Sequence, residues 1–233
     1  MSAVSETIVR EYFELHGFLV RQQRKYLAPT RAEDEEIDFL VVNPVAGPAA
    51  EERPFVLHSA DLAQVARAVV VIKGWHTDTF SPGVLACAPE IFRFLEPAVF
   101  QPAVRALGAG AVPLKLLVVP ALPQTPELRE QSIQFLRDKG VDGVLPFRTM
   151  LADLIAYVQV NHNYQKSDLL QIIRILKNYD FCKDPQMELF KPKRRRGGER
   201  LKAEAGGRSQ SSAATRHRCP FARSSRFGIP TVD

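Results

Sequence analysis

Cysteine is scarce in this chain: three in 233 residues, at Cys87, Cys182 and Cys219. A scattered, odd-numbered set offers neither the spacing of a zinc site nor a disulfide framework. A reducing cytoplasm is therefore the expected compartment. Long apolar runs are missing too. No window approaches the roughly 18 consecutive apolar residues of a membrane-spanning helix, so no membrane is expected. The opening Met1-Ser2-Ala3-Val4-Ser5-Glu6 has no basic stretch followed by an apolar core, so a signal peptide is not expected. There is no glycine-rich phosphate loop, no Ser-His-Asp arrangement and no dinucleotide signature. Most enzyme classes have no foothold here. No segment repeats another, and tryptophan occurs once, as Trp75.

What is present is an ordinary globular composition, 45% apolar, with a charge that divides unevenly. The net charge is +5, but residues 191–233 hold twelve Lys and Arg against three Asp and Glu, giving +9. The first 190 residues hold the remaining nineteen basic and twenty-three acidic residues, giving −4. A mildly acidic body thus carries a basic tail. Any attraction to nucleic acid read from overall charge rests on that tail, above all on Arg194, Arg195 and Arg196. A solubilising tail has the same composition. Its Arg, Ser, Gly and Ala cannot bury enough surface to order themselves, so residues 191–233 are expected to be disordered.

The body reads as alternating helices and strands. Ser5 to Leu15 predicts an amphipathic helix, with Ile8, Val9, Tyr12, Phe13 and Leu15 on one face, Ser5 as N-cap and Gly17 as the stop. A short strand begins at Phe18. Ile37 to Val42 and Val69 to Lys73 are apolar, β-branched runs, as buried strands require. Phe55 to Leu57 is a strand candidate, and Ser59 to Ala68 predicts one short helix. A helical region from about Gly83 to Leu107 is interrupted at Pro89 and Pro97. Leu114 to Pro120 is a strand, Glu127 to Lys139 a helix closed by Gly140, and Gly143 to Phe147 a strand. Helices follow at Thr149 to Val160 and at Asp168 to Tyr179, the latter with Asp168 as cap. The later strand–helix alternation implies parallel strands with helices on the sheet faces. The expectation is an α/β domain over residues 1–160, with a mixed sheet of four to five strands flanked by helices. A C-terminal helical extension over 161–190 and the basic tail complete the chain.

The stretch with the most chemistry is Val69-Val70-Val71-Ile72-Lys73-Gly74-Trp75-His76. Lysine is seldom buried without a partner, so Lys73 at the end of a buried strand calls for an acid. Asp38, inside the other apolar run, is the natural one. Two adjacent strands carrying them would form a charged pair on a sheet edge. An ion pair at a strand end explains both residues without any activity. Trp75 and His76 could stack on a nucleic acid or pack as ordinary ring side chains. Arg21, Arg24 and Lys25 suit either phosphate contacts or a solvated face.

Glu6 near the start of the first helix, the His16-Gly17-Phe18-Leu19-Val20 turn into a strand, Asp38 in an apolar strand, and Val71-Ile72-Lys73-Gly74 closing another resemble the restriction-endonuclease-like, or PD-(D/E)xK, nuclease superfamily. Within it they are most similar to the Holliday-junction-resolvase and Mrr-like group. The likeness covers residues 5–160, about two thirds of the chain. It implies a restriction-endonuclease-like fold and a nuclease dependent on Mg²⁺ or Mn²⁺ that hydrolyses phosphodiesters in DNA, with RNA left open. Carried over residue by residue, Asp38 is a metal ligand, Glu6 an accessory ligand, and Lys73 the lysine beside water and phosphate. The chain departs from the pattern two residues before Lys73, where an acid is expected and Val71 stands. A relocated acid on the following helix restores the set, and Glu90 is the first candidate. The alternative is an inactive endonuclease-like fold that binds nucleic acid or protein. A homodimer or another protein partner is compatible with both.

Overall fold

In a computed structural model, which describes residues 3–22, 36–47, 53–74 and 76–182, five strands and six α-helices alternate along the chain. They are α1 (Ala3–Leu15), β1 (Leu19–Gln22), β2 (Phe39–Val42), β3 (Arg67–Ile72), α2 (Pro82–Cys87), α3 (Pro97–Leu107), β4 (Leu114–Val119), α4 (Pro126–Asp138), β5 (Gly143–Pro146), α5 (Phe147–Tyr157) and α6 (Asp168–Asn178). Two 3-10 helices, Ser59–Gln64 and Pro89–Leu95, complete the set. The strands form one sheet in the order β1-β2-β3-β4-β5. β1 and β2 pair antiparallel, as do β2 and β3, whereas β3, β4 and β5 run parallel. The expected mixed sheet is there, with the strands bearing Asp38 and Lys73 side by side. They lie inside the sheet, not at its edge, because β1 covers β2 and β4 covers β3.

The parallel half follows from the helical connections. Pro82, Pro89 and Pro97 each sit in the first turn of a helix, where a missing N–H costs nothing. They divide the stretch after β3 into three short helices, close to the interruptions expected at Pro89 and Pro97. That chain length lets β4 return parallel to β3.

β3 is buried on both faces, and its side chains alternate between two cores. Ala68, Val70 and Ile72 pack with Val9 and Phe13 of α1, Leu154 of α5 and Ile173 of α6. Val69 and Val71 pack with Leu85 of α2, Phe100 of α3 and Leu136 of α4. Helices therefore lie on both faces of the sheet. Each fully buried Val or Ile contributes about 1.5–3 kcal/mol, so β3 anchors both layers. The outer edge of β5 is shielded by the Phe55–Leu57 segment. Val56 bridges Val144, and Leu57 N–H donates to the Val144 carbonyl at 2.9 Å. Packing is tight where this segment crosses: a Cβ at Gly143 would meet Leu116 Cδ2 at 3.0 Å and Leu57 Cδ1 at 3.2 Å, so both side chains would have to shift.

Three local expectations are corrected. Ser5 is not a cap: α1 begins earlier, at Ala3, and Ser5 is buried within it. The helix expected over Ser59 to Ala68 is a 3-10 helix ending at Gln64, because Arg67 and Ala68 already belong to β3. The cap of α6 is Ser167, whose hydroxyl accepts from Leu170 N–H, and Asp168 is the first helical residue. The described residues all belong to one compact unit, and α6 joins it through Ile173. The expectation of a disordered tail falls on residues outside those described. No helix among the described residues is long and apolar enough to cross a membrane.

A polar chain clasps α1 and α5 to the 3-10 helix between β2 and β3. Ser59 Oγ donates to Asp153 Oδ2. With its only proton committed, Ser59 accepts from the Tyr12 hydroxyl at 3.1 Å. His16 lies edge-on to the Tyr12 ring. Its Nε2 is 3.5 Å from Asp153 Oδ2, without hydrogen-bond geometry. Burial pushes the Tyr12 hydroxyl up to about 12. Burial pushes the His16 imidazole below its ordinary value, with Asp153 working the other way. The unfolded chain therefore protonates His16 at a higher pH than the folded chain does. The stability linked to neutral His16 is present above about pH 6.5 and is lost as pH falls below that value. The urea midpoint is expected to drop between pH 8 and pH 5, and to drop less in His16→Gln. Equal declines in both proteins would remove His16 from this account.

Candidate functional site

The ladder between β2 and β3 ends at Asp38, and a side chain takes over where the backbone stops. Asp38 N–H donates to the Val70 carbonyl at 3.1 Å. The next ladder donor, Ile72 N–H, goes to Asp38 Oδ2 at 2.7 Å. Asp38 is buried, so this charge-assisted bond satisfies a donor that water does not reach. Asp38 thus closes the ladder as a side-chain cap on the end of β3.

Lys73 is the next residue. Its N–H continues the pairing with β4, donating to the Val118 carbonyl at 3.0 Å. Strand alternation sends its side chain to the face of Val69 and Val71, the face covered by α2, α3 and α4. Burial pushes the Lys73 ammonium below its ordinary value. Glu36, Asp38 and Glu90 act in the opposite direction, and Arg93 adds to the lowering. Arg93 Nη1 in turn lies 3.4 Å from Glu36 Oε1. The charges acting on Lys73 are therefore three carboxylates and one guanidinium.

Two of these groups, Glu36 and Arg93, were missed from the sequence. Each carried a faint signal. Glu36 precedes Asp38 by two, the spacing that returns to the same side of an extended chain. Arg93 follows Glu90 by three within the Pro89–Leu95 3-10 helix, where residues three apart eclipse.

The other candidates fall elsewhere. Val71 is 1% exposed within the core, so no acid stands at that position. Glu6, on α1, accepts from Gln22 Nε2 of β1 at 2.7 Å and is not among the charges acting on Lys73. His76 is exposed and sits on the α1 side, its Nε2 3.0 Å from Ser5 Oγ and its ring edge-on to Phe147. Gly74 permits that approach, because a Cβ there would come within 2.8 Å of Ser5 Oγ. Arg21 is exposed on β1. Arg24, Lys25, Trp75, Arg194, Arg195 and Arg196 lie outside the described residues.

Carboxylate oxygen is the right donor for Mg²⁺ or Mn²⁺. Yet among the described residues no group of three or more His, Cys, Asp or Glu side chains is placed to hold a metal ion. One oxygen of Asp38 is already engaged by Ile72 N–H. The implied metal set of Asp38, Glu6 and Glu90 is not gathered among the described residues. Comparison of the chain with protein-family models, curated proteins and solved structures finds no match in any of the three.

Asp38→Ala leaves Ile72 N–H buried without its acceptor and is expected to cost about 1–3 kcal/mol. Asp38→Asn keeps an acceptor oxygen and is expected to lose clearly less. Denaturant midpoints of the two variants test the capping role. Equal losses would mean that the charge, not the hydrogen bond, is what the fold uses.

Proposed function

We propose that the chain is a non-catalytic α/β interaction module, restriction-endonuclease-like in kind, whose acid–lysine cluster holds the end of β3 in place. The observation that carries this reading is Val71, sealed in the core where the nuclease pattern places a metal-binding acid. The rest of the cluster agrees with it. Asp38 spends an oxygen on the backbone. Burial is the largest influence on Lys73, and Glu36, Asp38 and Glu90 work against it. The net charge of −4 over the first 190 residues suits protein partners better than duplex DNA. Cys87 is disulfide-bonded, against the expectation of a chain without disulfides, so cysteine usage does not argue for a reducing cytoplasm.

One observation favours a second reading, a divalent-metal-dependent nuclease acting on DNA. Glu36, Asp38 and Glu90 converge on the same lysine, so oxygen donors are close at hand even though Val71 is not one of them. The two readings separate in a single assay. Full-length protein is incubated with supercoiled and four-way-branched DNA and Mg²⁺ or Mn²⁺, alongside Asp38→Asn and Lys73→Ala. The expected result is no metal-dependent nicking by any of the three proteins. Nicking by the unaltered chain that disappears in both variants would overturn the non-catalytic reading, and Glu36→Gln and Glu90→Gln would then locate the ligands.

A further inference from the structure

Lys73 is anchored at its backbone and uncommitted at its amine. Its N–H is fixed on the Val118 carbonyl at 3.0 Å, and the residue is partly buried. Yet among the described residues its side-chain nitrogen makes no hydrogen bond and no ion pair within 4.0 Å. The nitrogen is not sealed from water either. Among the described residues, the one buried side-chain nitrogen or oxygen without a hydrogen bond is His16 Nε2. A lysine closing a structural ion pair would touch its acid, and Lys73 does not.

Of the three carboxylates that act on Lys73, two are spent elsewhere. Asp38 accepts from Ile72 N–H at 2.7 Å, and Glu36 lies 3.4 Å from Arg93 Nη1. Glu90 is exposed in the first turn of the Pro89–Leu95 3-10 helix. It has no hydrogen bond or ion pair among the described residues. One amine and one carboxylate are thus left over, near enough to act on each other and farther apart than the 4.0 Å of an ion pair. Burial pushes the Lys73 ammonium below its ordinary value. At neutral pH more of it is the nucleophilic amine than of a lysine in water.

We propose that Lys73 is a carbonyl-capturing residue, its amine condensing reversibly with an uncharged aldehyde in the gap it shares with Glu90. The amine attacks the carbonyl carbon, so a C–N bond forms and the carbonyl π pair moves to oxygen. Glu90 then carries the two amine protons, one after the other, from nitrogen to that oxygen. Water leaves, and a C=N bond joins Lys73 to the ligand. One amine and one aldehyde give one imine and one water, with no oxidant or reductant. The charges set the class of ligand. When the amine is neutral, three carboxylates face one guanidinium, and that negative surround repels an anionic carbonyl compound. Capture is stoichiometric and needs neither metal nor nucleic acid. It goes beyond the interaction-module reading and holds equally for a nuclease, so its failure and a result in the cleavage assay are separate outcomes.

The test is reductive trapping of the full chain at about pH 7 with propanal and cyanoborohydride, which reduces the imine to a stable propylamine. Peptide mass spectrometry then reads the labelling rate at each lysine. Lys166, which is exposed, is the internal reference. Lys73 is expected to be labelled several-fold faster than Lys166. This arm uses the unaltered chain, so no variant has to fold. Glu90→Gln separates proton transfer from charge. Removing the carboxylate releases more neutral amine, which by itself would speed labelling, whereas losing the proton carrier slows it. Slower labelling of Lys73, with Lys166 unchanged, is the expected result. Glyoxylate, which carries a carboxylate, is expected to lose most of the preference for Lys73. Lys73 labelled no faster than Lys166 would overturn the proposal, because that is how a merely structural, half-buried lysine behaves. Equal or faster labelling in Glu90→Gln would overturn the part given to Glu90, and an undiminished preference with glyoxylate would overturn the choice of an uncharged ligand.

Discussion

The hydrogen bond from Ile72 N–H to the Asp38 carboxylate is the point on which the rest of the structure turns. From Ala68 to Ile72, β3 is apolar on both faces, so past Arg67 it has no polar side chain of its own until the chain reaches Lys73. At that point the antiparallel ladder with β2 runs out while the parallel ladder with β4 continues for one more residue. One backbone donor is left inside the protein. Supplying it with a neutral acceptor would have been enough, but the chain supplies a carboxylate. A buried carboxylate needs positive charge nearby, and Lys73 provides it one residue further on. Lys73, itself drawn out of water, then gathers Glu36 and Glu90, and Arg93 balances Glu36. The cluster is a chain of compensations that starts from one unpaired N–H.

That origin bears on how the cluster should be understood. A catalytic metal site keeps its acids open towards the ion and its lysine open towards the substrate. Here an acid oxygen is spent on the backbone. Lone Asp and Lys residues at strand ends have a structural use that is independent of any reaction. The missing acid at Val71 is then more than a missing ligand. A carboxylate there would sit in the packed layer between β3 and the helices α2 to α4, among Leu85, Phe100 and Leu136. It would cost several kcal/mol unless an ion neutralised it. Valine at this position and a structural Lys73 are mutually consistent, whereas valine and a working metal site require an acid to arrive from elsewhere.

How much of this was legible in the sequence depended on the range of the interaction involved. The strands at 69–72 and 114–119 announced themselves because burial on both faces demands an unbroken apolar run. The break of the 83–107 region at Pro89 and Pro97 was equally plain, because proline acts locally. Ser5 was misread because a serine before an apolar helical stripe looks like a cap. Its actual role, packing under Gly74 and meeting His76, joins residues some seventy positions apart. Asp168 was misread for a related reason: it is acidic and early in the helix, but the capping hydroxyl is one residue before it. The segment from Asn163 to Lys166 lies between α5 and α6. Its tyrosine accepts Gln159 N–H and gives its own N–H to Gln171, so it is the hinge that brings α6 onto the core. Asp38 and Lys73 could be paired from the sequence, but Glu36 and Arg93 could not be ranked above many other charges. Their membership depends on where a 3-10 helix places its side chains.

The same distinction between local and long-range signals separates the two faces of α6. Seen alone, the helix from Asp168 to Asn178 has six apolar residues among its eleven, and nothing local says which of them faces the core. The choice is made by three hydrogen bonds from Arg174 and Lys177 to the chain after α5. One of those bonds takes the Ile155 carbonyl in the last turn of α5, and the other two take the Val158 and Val160 carbonyls just beyond it. Satisfying them fixes the rotation of α6, and the fixed rotation turns Ile172, Ile175 and Tyr179 outward. The outward stripe is therefore a consequence of completing α5, and the fold has no cheap way to remove it.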